Sequence, residues 1–196
     1  LEKSKQFILG DAFLSAACLV YQGPFTGIYR QNLMESWFKI LQKNQLKFSE
    51  KYAFEEVMGD ISVIRKWNLQ GLPSNKISVC NGVLVKRASS FPFMIDPQLQ
   101  ANKWIKNLEN NLEEPEQSLR IVKANDSKNL SRVLEGCLMN NIPCLIEDAD
   151  EAINPYLDPL LLKQNDENKG GKAIIKLGTG DEMIVEQDFR LYFTTK

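Results

Sequence analysis

The chain has 196 residues, 43% hydrophobic and 25% charged, with a formal net charge of -1. That length fits one domain, or one domain with a sizeable appendage, and the apolar share supports a core. The near-neutral balance excludes the basic footprint of a nucleic-acid binder and any pull toward an anionic membrane surface, and no run reaches the roughly 18 apolar residues of a membrane helix.

Gly10-Asp11 opens the first predicted helix, with Asp11 as N-cap. Ala12 to Tyr21 is apolar on nearly all sides, which predicts burial, and Gly23-Pro24 ends it. Thr26 caps a second helix to about Lys43. Met34, Trp37, Phe38 and Leu41 share one face of it, while Gln31, Glu35, Lys39 and Gln42 face away, the pattern of an amphipathic core helix. Ser49 is the expected cap of a helix to Met58, stopped by Gly59. Asp60 caps another from Ile61 to Asn68. Residues 77–87 are ambiguous. Asn81-Gly82 between Val79 and Val83-Leu84-Val85 is a hairpin signal, whereas a helix capped near Ser78 lines up Val79, Gly82, Val83 and Lys86.

From Phe91 the pattern is regular: strand Phe91–Ile95, helix Pro97–Asn110 with Pro97 as first helical residue, strand Leu119–Lys123, helix Lys128–Asn140 capped by Ser127, strand Pro143–Glu147, and short helix Pro155–Leu162. Residues 173–186 alternate around Gly178-Thr179-Gly180-Asp181 as a β-hairpin, and Phe189–Thr194 is the last strand. Asn107–Gln117 and Lys163–Lys172 read as polar loops. Strands alternating with helices predict an α/β fold, a mostly parallel sheet with helices on both faces.

The strand–turn–helix at Phe91–Lys106 stands where a phosphate-binding P-loop would. That motif is G-x-x-x-x-G-K-[ST], with glycines so that backbone N–H groups close around phosphate. Here Asp96 falls on the first Gly and Ala101 on the second, with Pro97, Gln98, Leu99 and Gln100 between. Asn102 takes the phosphate-lysine slot and Lys103 the magnesium-hydroxyl slot. Leu99 stands at the extra middle Gly of many ring ATPases. Asp96 puts an acid where phosphate would bind. Leu99 and Ala101 add Cβ atoms where backbone must approach closely. Asn102 supplies no cation and Lys103 no hydroxyl; Lys103 points about 100° around the helix from the lysine slot.

Cys144-Leu145-Ile146-Glu147-Asp148 is an apolar strand ending in two acids. A working ATPase places Asp before Glu, for magnesium and for the attacking water; here the order is reversed. Two acids after a buried strand equally fit a helix cap or turn. Histidine is absent, and the four cysteines, Cys18, Cys80, Cys137 and Cys144, show no C-x-x-C spacing. These facts exclude the usual zinc sites and every histidine triad; the thiols read as buried, in a reducing compartment. No signal-peptide pattern opens the chain, and a start without Met reads as an excised fragment.

Met94-Ile95-Asp96-Pro97-Gln98, followed by Gln100-Ala101-Asn102-Lys103-Trp104-Ile105-Lys106-Asn107, resembles the fifth AAA+ module of dynein heavy chains, axonemal more than cytoplasmic. Gly10–Ala17, Gly23-Pro24-Phe25-Thr26 and Tyr29-Arg30 are similar to the dynein segment just after the returning strand of the stalk coiled coil. Trp67-Asn68 with Gly71-Leu72-Pro73 looks like the linker at the module's entry. Glu151, Ile153-Asn154-Pro155 and Leu157–Leu162 resemble the run after the acidic strand. Phe189–Lys196 resembles the strand of the nucleotide-sensing residue, usually Asn, where Lys196 stands here.

The resemblance implies an AAA+ P-loop-like three-layer sandwich preceded by an N-terminal helical segment. Residues 1–77 would be the segment following the stalk and the linker, and 78–196 a large subdomain truncated before its lid. The AAA+ topology favours a helix over residues 77–87. Further implications are a degenerate loop at Asp96–Lys103, a Walker B-like pair at Glu147 and Asp148, and a sensor-like Lys196. No cofactor is expected in this fragment, with ATP and magnesium in other modules of the parent motor. Its expected partners are neighbouring modules and the stalk of the same heavy chain. Microtubules are reached only through the parent motor, in the cytoplasm and the axoneme of a cilium or flagellum. The expected role is structural and regulatory; the alternative is a divergent P-loop module that still binds ATP.

Overall fold

In the computed structural model the described residues are 6–110, 114–162, 166–168, 172–178 and 182–196. They form two compact units, Leu1–Ala88 and Ser89–Lys196. The division falls after the helix over residues 76–87, and the expected 77/78 boundary lies within the first turn of that helix.

The first unit is helical: α1 Ile8–Tyr21, α2 Gly27–Lys43, α3 Phe54–Met58, α4 Ile61–Leu69 and α5 Lys76–Arg87. α1 packs on α2 and α3, and α3 on α5. α1 starts one turn earlier than expected, so Asp11 lies within its first turn and is not its cap. The Asp11 carboxylate instead accepts from the Ser49 amide at 2.8 Å and the Ser49 hydroxyl at 2.6 Å. Ser49 is thereby diverted from capping, and α3 begins at Phe54 behind Ala53. The expectation that α1 is buried all round also fails: Gly10, Leu14, Ser15 and Cys18 are buried, while Ile8, Leu9, Phe13, Val20 and Tyr21 are exposed.

The amphipathic reading of α2 matches its burial. Leu41 is buried, Met34, Trp37 and Phe38 are half-buried, and Gln31, Glu35, Lys39 and Gln42 are exposed. Phe38 stacks on Phe48 with ring centroids 4.9 Å apart. Asp60 caps α4, accepting from the amides of Ser62 and Val63, and Gly59 closes α3. The ambiguous stretch is α5, capped by Asn75 and not near Ser78. The hairpin signal loses because Gly82 lies under neighbours: a Cβ there would meet Leu72 at 2.9 Å and the Trp67 ring at 3.2 Å.

The second unit contains β1 Phe93–Ile95, α6 Gln100–Leu108, β2 Arg120–Lys123, α7 Ser127–Met139, β3 Cys144–Glu147, α8 Asp158–Leu161, β4 Asp166–Asn168, β5 Lys172–Lys176, β6 Glu182–Val185 and β7 Leu191–Thr195. One sheet runs β1-β7-β3-β2 and every pairing in it is parallel. The second, β4-β5-β6, is antiparallel. The fold is therefore the expected α/β, AAA+ P-loop-like arrangement with a helical segment before it.

Side chains alternate across the parallel sheet, as pleating requires. Cys144, Ile146, Leu191 and Phe193 join the core with Leu130, Leu134, Cys137 and Leu138 of α7. Residues Tyr192 and Thr194, on the opposite face, bond to the ends of α6. The hairpin is β5–β6; the middle of its turn, Thr179-Gly180-Asp181, lies outside the described residues. β4 was not expected: it takes Asp166–Asn168 from a stretch read as polar loop, because pairing with β5 satisfies its backbone. Asp126, not Ser127, caps α7, accepting from the Asn129 amide.

Candidate functional site: the loop between β1 and α6

Residues Asp96 to Leu99 join β1 to α6. The helix starts at Gln100 and not at Pro97, for two local reasons. Leu99 is left-handed, with φ 57° and ψ 26°, a conformation that disfavours any side chain by about 1 kcal/mol and explains why glycine suits this slot. Asp96 closes the turn: the Leu99 amide donates to its carbonyl at 3.1 Å, and its carboxylate caps the helix.

The Asp96 side chain is buried. Its Oδ1 accepts from the Gln100 amide at 2.8 Å and its Oδ2 from the Asn102 amide at 2.7 Å. The first amides of a helix are its anion-binding groups, and two of them here are bonded to the chain's own carboxylate. Pro97 and Gln98 are exposed and Ala101 is half-buried; Gln98 Oε1 accepts from Gln100 Nε2 at 2.9 Å.

Asn102, in the lysine slot, is buried. Its Nδ2 donates to Glu147 Oε1 at 2.7 Å and lies 3.4 Å from Thr194 Oγ1. Lys103 is exposed. Lys106, one turn on from Asn102, reaches Glu147 Oε1 at 2.7 Å. Burial pushes the Glu147 carboxyl up, but the hydrogen bonds from Lys106 and Asn102 outweigh it and hold it below the usual carboxylate range. Asp148 is left-handed, φ 53°, and lies 3.4 Å from Lys123 Nζ and 3.9 Å from Lys196 Nζ. These last two pairs are solvent-exposed and contribute little stability.

The structure thus brings together Asp96, Asn102, Glu147, Asp148 and Lys196, and places Lys103 outside the set. Glu147 is paired with Lys106, and Asp148 with Lys123 and Lys196, while the Asp96 carboxylate is held by backbone amides. Sequence reasoning missed Lys106, Lys123 and Thr194. Lys106 alone had a visible signal, being four residues past Asn102 on one helix face. Beyond β3 lies an open cleft of about 250 Å³, lined by Ala124, Ile146, Ala149, Ile153 and Phe193 with Asp150 and Asn154. It presents no cation to a phosphate. Among the described residues no cluster fits a metal ion, and no helix is long and apolar enough to cross a membrane. Against a magnesium-bound triphosphate stand three features of the residues present: two of the first helix amides are bonded to Asp96, the lysine slot is an amide, and the hydroxyl slot is a lysine.

A parallel sheet ordered β1-β7-β3-β2, with a strand–loop–helix at β1 and acids ending β3, defines an AAA+ P-loop-like module. Residues 65–196 match the family described as the ATP-binding dynein motor region, and the chain belongs to that family. It is 41% identical over 189 residues to the human dynein axonemal heavy chain 6, covering 96% of this chain and 4% of that protein. It is 38% identical over 197 residues to the mouse dynein axonemal heavy chain 1, covering 100% and 4%. With the Chlamydomonas reinhardtii dynein-1-beta heavy chain of the flagellar inner arm I1 complex it shares 38% over 188 residues, covering 95% and 4%. The chain therefore spans a small part of the length of the curated relatives it matches.

Proposed function

We propose that this chain is the fifth AAA+ module, with the segment following the stalk, of an axonemal-type dynein heavy chain. In this reading it does not hydrolyse ATP. It couples the ATPase ring to the microtubule-binding stalk in ciliary or flagellar movement, with neighbouring modules and the stalk of the same heavy chain as its partners. ATP and magnesium belong to other modules, and microtubules are met through the parent motor. The observation that carries this is the Asp96 carboxylate seated on the Gln100 and Asn102 amides, where a phosphate would be held. The relatives' names support the axonemal part.

Titration calorimetry with Mg-ATP tests it. The expected result is no saturable heat at millimolar nucleotide. A Kd below about 100 µM, roughly 5–6 kcal/mol of binding, would overturn the non-binding reading. The second reading, a divergent module that still binds ATP through Lys103 and the acids Glu147 and Asp148, draws on the family's own description as ATP-binding. In that case the heat is saturable and Lys103→Ala removes it.

A further inference from the structure

The far end of α6 carries a group that the loop does not use. Glu109 closes the helix, and its side chain is 3% exposed. Its carboxylate accepts from the Tyr192 hydroxyl at 2.5 Å and from the Arg190 guanidinium. An acid at a helix C-terminus meets the negative end of the helix dipole, and a buried carboxylate stays charged only when it is paired. Burial first, then the Glu109 charge, pushes the Tyr192 hydroxyl up, so that it remains a donor.

The loop end is tied to the same strand. The Asp96 amide donates to the Thr195 carbonyl at 2.7 Å, and Asn102 Nδ2 lies 3.4 Å from Thr194 Oγ1. Both ends of α6 are therefore bonded to β7 or the residue just before it, at Thr194 and Thr195 on one side and at Arg190 and Tyr192 on the other. β7 is an inner strand, between β1 and β3. Between the two ends, Trp104 and Ile105 are 1% and 0% exposed. The helix has nine residues, so at 1.5 Å per residue the ties are about 13 Å apart.

We propose that α6 is a strut whose two buried carboxylate ties, Asp96 at the loop and Glu109 at the opposite edge of the sheet, are energetically coupled. The loop end is then held by the fold in place of a ligand, and a displacement at one end is carried to the other. The inference rests on the reading of the loop as non-binding. Its physical basis is geometric: a helix bonded at both ends to one strand cannot slide or tip without parting a buried carboxylate from its donors, which is costly in a dry interior. Sites this far apart ordinarily act independently, so coupling between them is diagnostic.

The test is a double-variant cycle with the isosteric changes Asp96→Asn and Glu109→Gln, read by urea unfolding and native-state amide exchange. Glu109→Gln is expected to speed exchange of the Gln100 and Asn102 amides, at the other end of the helix, by about fivefold or more. The double variant's unfolding constant is expected to differ from the product of the single effects by about threefold or more. Exchange changes confined to the substituted end, with single effects that simply multiply, would overturn the strut. Should either variant fail to fold, Tyr192→Phe removes one bond to Glu109 and keeps the ring. The same long-range exchange is expected there at about twofold or more, and its absence overturns the proposal. Saturable nucleotide binding by the unsubstituted chain would strike the non-binding loop alone, whereas multiplying effects beside a silent titration would strike only the strut.

Discussion

The helical unit and the α/β unit use their apolar residues differently. In the α/β unit, Leu191, Tyr192, Phe193 and Thr194 of β7 are all buried, as are Cys144, Leu145 and Ile146 of β3. Inner strands of a parallel sheet covered on both faces have no outward side. In the helical unit each helix buries one stripe. α1 turns Leu14 and Cys18 inward and leaves Leu9 at 57%, Phe13 at 57% and Val20 at 67% exposed. Of α2 only Leu41 is buried. An apolar residue therefore reports burial reliably on the inner strands β3 and β7 and poorly on the helices of the first unit; on β1 and β2, which end the sheet order, Phe93, Ile95 and Ile121 are exposed too. Chemistry divides along the same line: the charged network at Asp96, Glu147 and Asp148 lies on the strand ends of the α/β unit, beside the left-handed Leu99 and Asp148.

Core truncation should give the largest effect and break this comparison most directly. Leu145→Ala is expected to cost about 3–5 kcal/mol, as fully buried leucines do. Phe13→Ala should cost about 0.5 kcal/mol or less, as exposed positions do. Urea melts of the two variants measure both, and comparable costs would mean that the outward face of α1 is covered in solution. Next in size is Gly10→Ala. Its Cβ would stand 2.3 Å from the Lys47 carbonyl oxygen, a backbone atom that cannot swing aside, so a loss of about 1–3 kcal/mol is expected. An unchanged melting midpoint would show that the helical unit yields where the sheet would not.

A smaller effect sharpens the electrostatic side. Glu147 is held below its unfolded pKa by Lys106 and Asn102. Its contribution is therefore present above the unfolded value of about 4.3 and fades as pH falls through the folded value. Glu147→Gln should be less stable than the parent at pH 7, and the gap should close as pH falls below the unfolded value and through the folded one. Thermal melts across that range check the sign; a gap that widens on acidification would refute the pairing. The smallest effect is expected at Lys103, which is exposed: Lys103→Ala should change stability by about 0.5 kcal/mol or less, measured by the same melts.

Much was legible locally. The Asp60 cap, the Gly59 stop, the α2 stripe and the β5–β6 hairpin each rest on groups a few residues apart, and such short-range chemistry can be read along a chain. The loss of lysine, hydroxyl and glycines from the loop is likewise written in Asp96–Lys103, together with the order of strands and helices that makes the sheet parallel. Tertiary structure decided the rest. Ser49 leaves its helix for Asp11, 38 residues away, and Asn81-Gly82 stays helical because Trp67 and Leu72 need the space over Gly82. Asn102 meets Thr194 across 92 residues, and Glu109 meets Tyr192 across 83. No periodicity or spacing in the chain encodes those partners. They exist only because β7 inserts between β1 and β3, bringing the end of the chain against both ends of a helix from its middle.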